Sequence, residues 1–306
     1  MMGATVMVIK NLIIKYIYIY IYMEFITLST SKFIKTKIPV KERCKKHDEG
    51  FISKMGEYIL YRRGIYQQYK QHIAKKKTPF IVGINGSVSS GKSRIATKSK
   101  EKINSCGIKC AIISTDNFIY PNKVLISRKL LHRKGFPESY DWVKLMEILN
   151  KIKKNETVYT PFYDQAISDI SNKKIKVPQN TDIIILEGIN LLRPNLITIP
   201  KKTLNVNSII LTDFLDLSIY IDAPESFLKG WFYKRLVKKR TVWKKTGIKQ
   251  NLTKKTNKQF KKWADGIWNK VNSVNLHKYI SPFKKRADVM ILKDKNHNIK
   301  EISFRV

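Results

Sequence analysis

The chain has 306 residues, 43% of them hydrophobic, and carries 60 Lys and Arg against 23 Asp and Glu, a net charge of +37. That length and apolar content supply a sizeable core, either as one large α/β domain with additions or as two domains. Cys44, Cys106 and Cys110 exclude a disulfide framework, leave no second ligand pair for structural zinc, and fit a reducing cytoplasm. The charge points to anionic partners such as nucleotides, nucleic acid or an acidic membrane surface. It is mostly lysine spread along a chain rich in Ile, Asn and Tyr, which an A- and T-biased genome also produces.

Residues 1–23 read as a low-complexity, non-native extension, with an Ile-Tyr alternation through Tyr22 and Met23 as a candidate start. Lys10, Asn11 and Lys15 interrupt its apolar run, so no clean membrane span of about 20 residues forms. Residues 24–77 read as a partly helical N-terminal cover, with a cover or dimer helix over Phe51 to Ile73. The main domain is expected over residues 78–306.

Phe80 to Ile84 is an apolar run with the look of a buried parallel strand. Gly86-Ser87-Val88-Ser89-Ser90-Gly91-Lys92-Ser93 follows and fits the phosphate-binding loop pattern G-x-x-x-x-G-K-[ST]. Gly86 and Gly91 let the backbone turn its N–H groups onto phosphate oxygens. Lys92 brings a compact cation, Ser93 a hydroxyl for Mg²⁺, and a helix over Lys92 to Asn104 points its positive end at the anion. A plain Gly/Ser turn is the competing reading, disfavoured by the strand before and the helix after.

Cys110 to Asp116 reads as a short strand that delivers a carboxylate at its C-terminal end, where parallel sheets bind ligands. Asp116 there is a general base, a Mg²⁺ ligand or a turn cap. Ser139 or Asp141 caps a helix with Val143, Leu145, Met146, Leu149 and Ile152 on one face. Tyr159 to Gln165 is an extended, proline-containing stretch suited to lining a pocket. Thr181 to Glu187 is the clearest core strand, and Glu187 at its end suits a metal.

Leu217 to Asp222 is a further strand, and Pro224 opens a helix from Glu225 to Arg240. Its Lys234, Arg235, Lys238, Lys239 and Arg240 form a largely solvated basic face, from which an arginine can clamp a phosphoryl group. Residues 241–262 are polar and read as a mobile loop. Trp263 to Ile280 reads as a helix. Ala287 to Leu292 and Ile299 to Val306 read as a closing β-hairpin. The expected fold class is therefore α/β, a P-loop NTPase-like, mostly parallel sheet flanked by helices, with a C-terminal β-hairpin.

Taken in order, residues 86–93, 114–118, 134–141, 185–190, 213–225 and 274–276 resemble the type I (bacterial) pantothenate kinases. The likeness runs from about residue 79 to the C-terminus. It implies a cytoplasmic homodimer that phosphorylates pantothenate with ATP and Mg²⁺, the first step toward coenzyme A. By motif position it makes Asp116 the base, Lys92 and Arg235 the phosphoryl-stabilising cations, and His297 the residue beside adenine. Tyr163 and Asn272 fall on substrate-contacting positions.

Two substrate positions depart from the family. Gln165 stands for a pocket histidine and Phe232 for a substrate-binding tyrosine. Losing that one hydroxyl costs about 1 kcal/mol or more of binding. Thr97 and Lys239 replace an arginine and a phenylalanine tied to coenzyme A feedback, so feedback is expected to be weakened. Three rivals remain: a uridine kinase-like enzyme for another small alcohol, a basic nucleic-acid-binding NTPase, and a decayed nucleotide-binding protein. The diffuse lysines favour no specific nucleic acid and no membrane as partner.

Overall fold

The computed structural model describes residues 33–37, 55–56, 58–60, 62–64, 78–194, 196–198 and 208–305, with backbone alone for 33–37, 196–198 and 208–209. The expectations for residues 1–23 and for most of 24–77 lie outside these. The strands are β1 (Phe33–Lys37), β2 (Phe80–Gly86), β3 (Cys110–Ser114), β4 (Val158–Asp164), β5 (Asp169–Val177) and β6 (Ile183–Gly188). They continue with β7 (Leu196–Thr198), β8 (Ser208–Ile210), β9 (Leu217–Asp222), β10 (Val289–Lys293) and β11 (Ile299–Arg305).

One seven-stranded sheet runs β1-β11-β10-β9-β2-β6-β3. From β3 to β10 every neighbour is parallel, and β11 and β1 close the edge antiparallel. The β10–β11 pair is the expected closing hairpin. Two further hairpins, β4–β5 and β7–β8, stand apart from the sheet.

The central strands are near-continuous apolar runs, with polar residues chiefly toward their C-terminal ends, because both faces are covered. Val82, Ile84, Ile183, Ile185, Leu217 and Ile219 pack to one face with Ile95 and Ile103 of helix α1 (Lys92–Ser105). Met55 and Ile59, from short helical stretches of the N-terminal cover, complete that layer. Ile81, Ile184 and Leu186 pack to the other face against Leu145, Met146, Leu149 and Ile152 of helix α2 (Trp142–Lys153). Burying each of these α2 side chains contributes about 1.5–3 kcal/mol. Asp141 caps α2, accepting from the Lys144 N–H at 3.0 Å.

Three expectations are corrected. Residues 33–37 form a strand, β1, paired along its whole length with Glu301–Arg305 of β11, where a partly helical cover was expected over 24–77. Residues 241–262 are not a mobile loop. Helix α3 runs Glu225–Thr246, stops at Gly247 (φ 68°), and after a short turn at Gln250–Thr253 helix α4 spans Asn257–Ile267. Sparse apolar residues hold this segment: Trp243, Leu252 and Phe260 are all buried in one cluster with Trp231, Phe232 and Trp268. Thr256 and Gln259 form a capping box at the start of α4. Arg240 is not part of a solvated face. It is 8% exposed, donates to Asn257 Oδ1 (3.0 Å) and to the carbonyls of Thr253 and Lys255, and lies over the Phe260 ring. The expected helix over 263–280 thus begins six residues earlier, and it passes through wide π-turns at Trp268–Asn272 and Leu276–Ile280.

Candidate active site

The site lies outside the C-terminal ends of β2, β3 and β6, where parallel strands deliver side chains and helix N-termini point at ligands. At the end of β2 the chain turns through Gly86 (φ 151°) and Gly91 (φ 93°) into α1. A side chain at Gly86 would strike the Ile221 carbonyl. The hydroxyls of Ser87, Ser89 and Ser90 are buried without a hydrogen-bond partner. Lys92 is folded back, its Nζ donating to the Ser87 carbonyl at 2.7 Å. A loop with unpaired hydroxyls and a lysine closing on its own backbone has the chemistry of an anion cradle.

Two carboxylates face it. Glu187 ends β6, and Ser93 Oγ donates to its Oε2 at 3.1 Å. Asp116 sits in the 3₁₀ turn after β3, with its N–H on Ser114 Oγ. Gly188 passes so close to this turn that a methyl on it would overlap the Thr115 hydroxyl. Burial raises the Asp116 carboxyl above its ordinary range and Glu187 adds to this, while Lys92, Arg235 and Lys239 pull it back. Lys92 is drawn below the ordinary lysine range by burial, against the pull of Glu187 and Asp116.

Two cavities meet at this point. The larger, of about 1030 Å³, runs from the loop past Arg94 and Lys234 to Trp231 and His297. There the His297 ring stacks on Trp231 with centroids 3.6 Å apart, and Trp231 Nε1 donates to the Lys295 carbonyl, fixing the turn that carries the histidine. Burial and the nearby Lys293, Arg94 and Lys234 push the His297 imidazole down to about 4, so it is neutral at neutral pH. The smaller cavity, of about 620 Å³, holds Asp116, Glu187, Tyr163 and Gln165, with Lys134 and Lys239 at its walls. Ser89, Lys92, Ser93 and Arg235 line both.

The expected site residues therefore divide. The loop, Lys92, Ser93, Asp116, Glu187, Arg235, Tyr163 and Gln165 converge, and His297 stands at the far end of the larger cavity. Phe232 and Asn272 do not reach the lining. Phe232, 7% exposed, packs on Trp268 with ring centroids 5.6 Å apart, and Asn272 is buried with its amide nitrogen unpaired. Two contributors were not anticipated: Trp231 beneath His297, and Asn117, whose Oδ1 accepts from the Tyr163 N–H at 2.9 Å. Lys239, expected at a feedback position, also donates to Gln165 Oε1 at 3.0 Å. Asn117 carried a signal, since it follows the strand-end aspartate directly. Trp231 is placed by helix packing and carried none.

A metal fits in part. Ser93 and Glu187 supply a hydroxyl and a carboxylate beside the cradle, and no group of three or more His, Cys, Asp or Glu suited to a metal occurs among the described residues. Such a sparse oxygen set suits Mg²⁺ shared with phosphates rather than an all-protein cage. Among the described residues no helix is long and apolar enough to cross a membrane.

Residues 81–265 match the phosphoribulokinase/uridine kinase family. A pantothenate kinase of Streptococcus mutans is 35% identical over 264 residues, 82% of this chain and 79% of its own. One of Rhizobium rhizogenes is 37% identical over 75% of this chain and 70% of its own. Among solved structures, a D-glycerate 3-kinase from Cryptococcus neoformans superposes with a TM-score of 0.60 at 16% identity, covering 83% of this chain and 99% of that one. The last likeness carries the fold alone.

Proposed function

Since the chain belongs to the phosphoribulokinase/uridine kinase family, and within it to the pantothenate kinases, we infer that it transfers the γ-phosphoryl group of ATP to pantothenate, giving ADP and 4′-phosphopantothenate. The observation that carries this is the shared wall. Two cavities, one long and ending in a neutral histidine on a tryptophan, one compact and holding a buried aspartate, meet only across the phosphate loop, Lys92 and Arg235. A nucleotide in the first and an alcohol in the second would meet in line at that wall.

In this reading the N–H groups of residues 86–93 hold the β- and γ-phosphates, and His297 and Trp231 flank adenine. Ser93 and Glu187 would hold Mg²⁺, which neutralises phosphate charge when bound. Lys92 leaves the Ser87 carbonyl for the transferred group, and Arg235 approaches it from α3. Asp116 accepts the proton of the acceptor hydroxyl as the oxygen attacks. Its environment suits a base: burial and Glu187 make the carboxylate a stronger proton acceptor, and Lys92, Arg235 and Lys239 oppose that rise. Tyr163 and Gln165 line the acceptor side, where Lys134, Lys239 and Arg235 give a field that favours an acceptor bearing a carboxylate. Of the two recessed residues, only Asn272 has a polar group to offer that acceptor.

The reading extends to a cytoplasmic homodimer in the coenzyme A pathway, with feedback by coenzyme A weakened because Thr97 and Lys239 stand at the positions concerned. The deciding assay is ATP consumption with pantothenate, with uridine and with no acceptor. ADP formation dependent on pantothenate is the expected result. Dependence on uridine alone, or none on any acceptor, overturns it. Coenzyme A is expected to compete with ATP poorly, and strong competition would refute the feedback assignment.

A further inference from the structure

Lys239 projects from α3 into the acceptor cavity, where its Nζ donates to Gln165 Oε1 at 3.0 Å. Gln165 Nε2 in turn reaches Asp116 Oδ2 at 3.5 Å. An ammonium group can only donate, so it settles which end of the Gln165 amide faces which neighbour. The carbonyl oxygen must turn to Lys239, and the NH₂ must then turn to the carboxylate. Without the ammonium the amide keeps only the long 3.5 Å contact to Asp116, which is too weak to hold an exposed side chain in place. Gln165 stands in the turn between β4 and β5 and is exposed, so its backbone does little to hold the amide.

We propose that Lys239 is a positioning residue for phosphoryl transfer: it fixes the Gln165 amide, which ties one oxygen of Asp116 and leaves the other for the acceptor hydroxyl. The inference deepens the reading of Asp116 as the base and rests on it. The charged groups around this chain of contacts are consistent with it. Arg235 lies one turn before Lys239 on α3, Lys249 approaches from beyond its end, and Asp116 faces it across the cavity, while Glu187 and Lys92 flank Asp116 on the loop side. The like charges of Arg235 and Lys249 make a neutral lysine easier to form, and the contact to Gln165 and the field of Asp116 give the ammonium its place.

The test is a double-mutant cycle on the full chain with ATP and pantothenate. Lys239→Met is expected to lower kcat about ten-fold while KM for ATP stays within about two-fold, the pattern of a contact that matters in the transition state. Lys239→Arg should keep most of kcat, since guanidinium is also a pure donor. Gln165→Ala should lower kcat to a similar degree, and adding Lys239→Met to it should cost almost nothing more. A crystal structure of Lys239→Met should show the Gln165 amide rotated or withdrawn from Asp116. Additive losses in the cycle, or an unmoved Gln165, would overturn the proposal and leave the kinase reading intact. A wild-type protein inactive toward pantothenate would overturn the kinase reading, and the position of Gln165 in the variant crystal would still decide the relay.

Discussion

The cleft has two walls built on different principles. One is the sheet, whose strand ends carry the phosphate loop, Asp116 and Glu187. The other is the helical layer of α3, α4 and the π-turns to Ile280, which contributes Arg235, Lys239 and Trp231. On the sheet wall, backbone ladders fix each functional group within a few residues of a strand end. On the helical wall the functional groups are held mainly by an apolar cluster rich in Trp and Phe some distance along the chain. The first wall is rigid by hydrogen bonding, the second by packing, and they should fail differently.

The largest expected effect separates chemistry from scaffold. Asp116→Asn should lower kcat by about 10²–10⁴, the range for a positioned base, with ATP binding by calorimetry retained. Unchanged turnover would remove the base role from the sheet wall. Trp268→Ala tests the other wall. Trp268 is 2% exposed, its indole N–H donates to Glu225 Oε1 at 3.1 Å, and truncation should cost about 3–5 kcal/mol in denaturant unfolding. A loss below about 1 kcal/mol would mean that packing does not hold this wall.

A smaller, signed effect comes from pH. Burial, with Arg235 and Lys249, draws the Lys239 ammonium down to about 8. Raising pH through that value turns a charged, donor-only group into a weaker amine that can also accept, so the Gln165 amide is no longer held in one orientation; kcat/KM should fall on the alkaline side, and Lys239→Arg should carry the plateau to higher pH. Folding responds in the opposite sense. The unfolded lysine titrates near 10.4, so between about 8 and 10.4 the unfolded state binds more protons, and this residue makes stability rise with pH. The smallest effect is Phe232→Tyr. A restored hydroxyl was worth about 1 kcal/mol by sequence, or about five-fold in KM. The buried position of Phe232 on Trp268 predicts a change in pantothenate KM under about two-fold, and a five-fold gain would place it at the substrate after all.

The same division explains what the sequence disclosed. Gly86 to Ser93, Asp116 and Glu187 announced themselves because a glycine-bounded loop and a carboxylate after an apolar strand are short-range signals. Residues 241–262 misled because Trp243, Leu252 and Phe260 are too widely spaced among lysines to register as an amphipathic period, yet suffice once Arg240 is buried among them. β1 was missed because its sheet partner, β11, lies more than 260 residues further along the chain. Lys239 read as one lysine of a basic helix at a feedback position, with no sign of a contact to Gln165. Only the approach of α3 to the β4–β5 turn gives it a partner.

Gly188 sets a dimension. With a hydrogen where other residues carry carbon, β6 slides against Thr115, and the two acidic groups on either side inherit their separation from that touch. A methyl there would press on the turn that carries Asp116 and shift its carboxylate relative to the loop, and if Asp116 is the base, nucleotide would still bind while transfer failed.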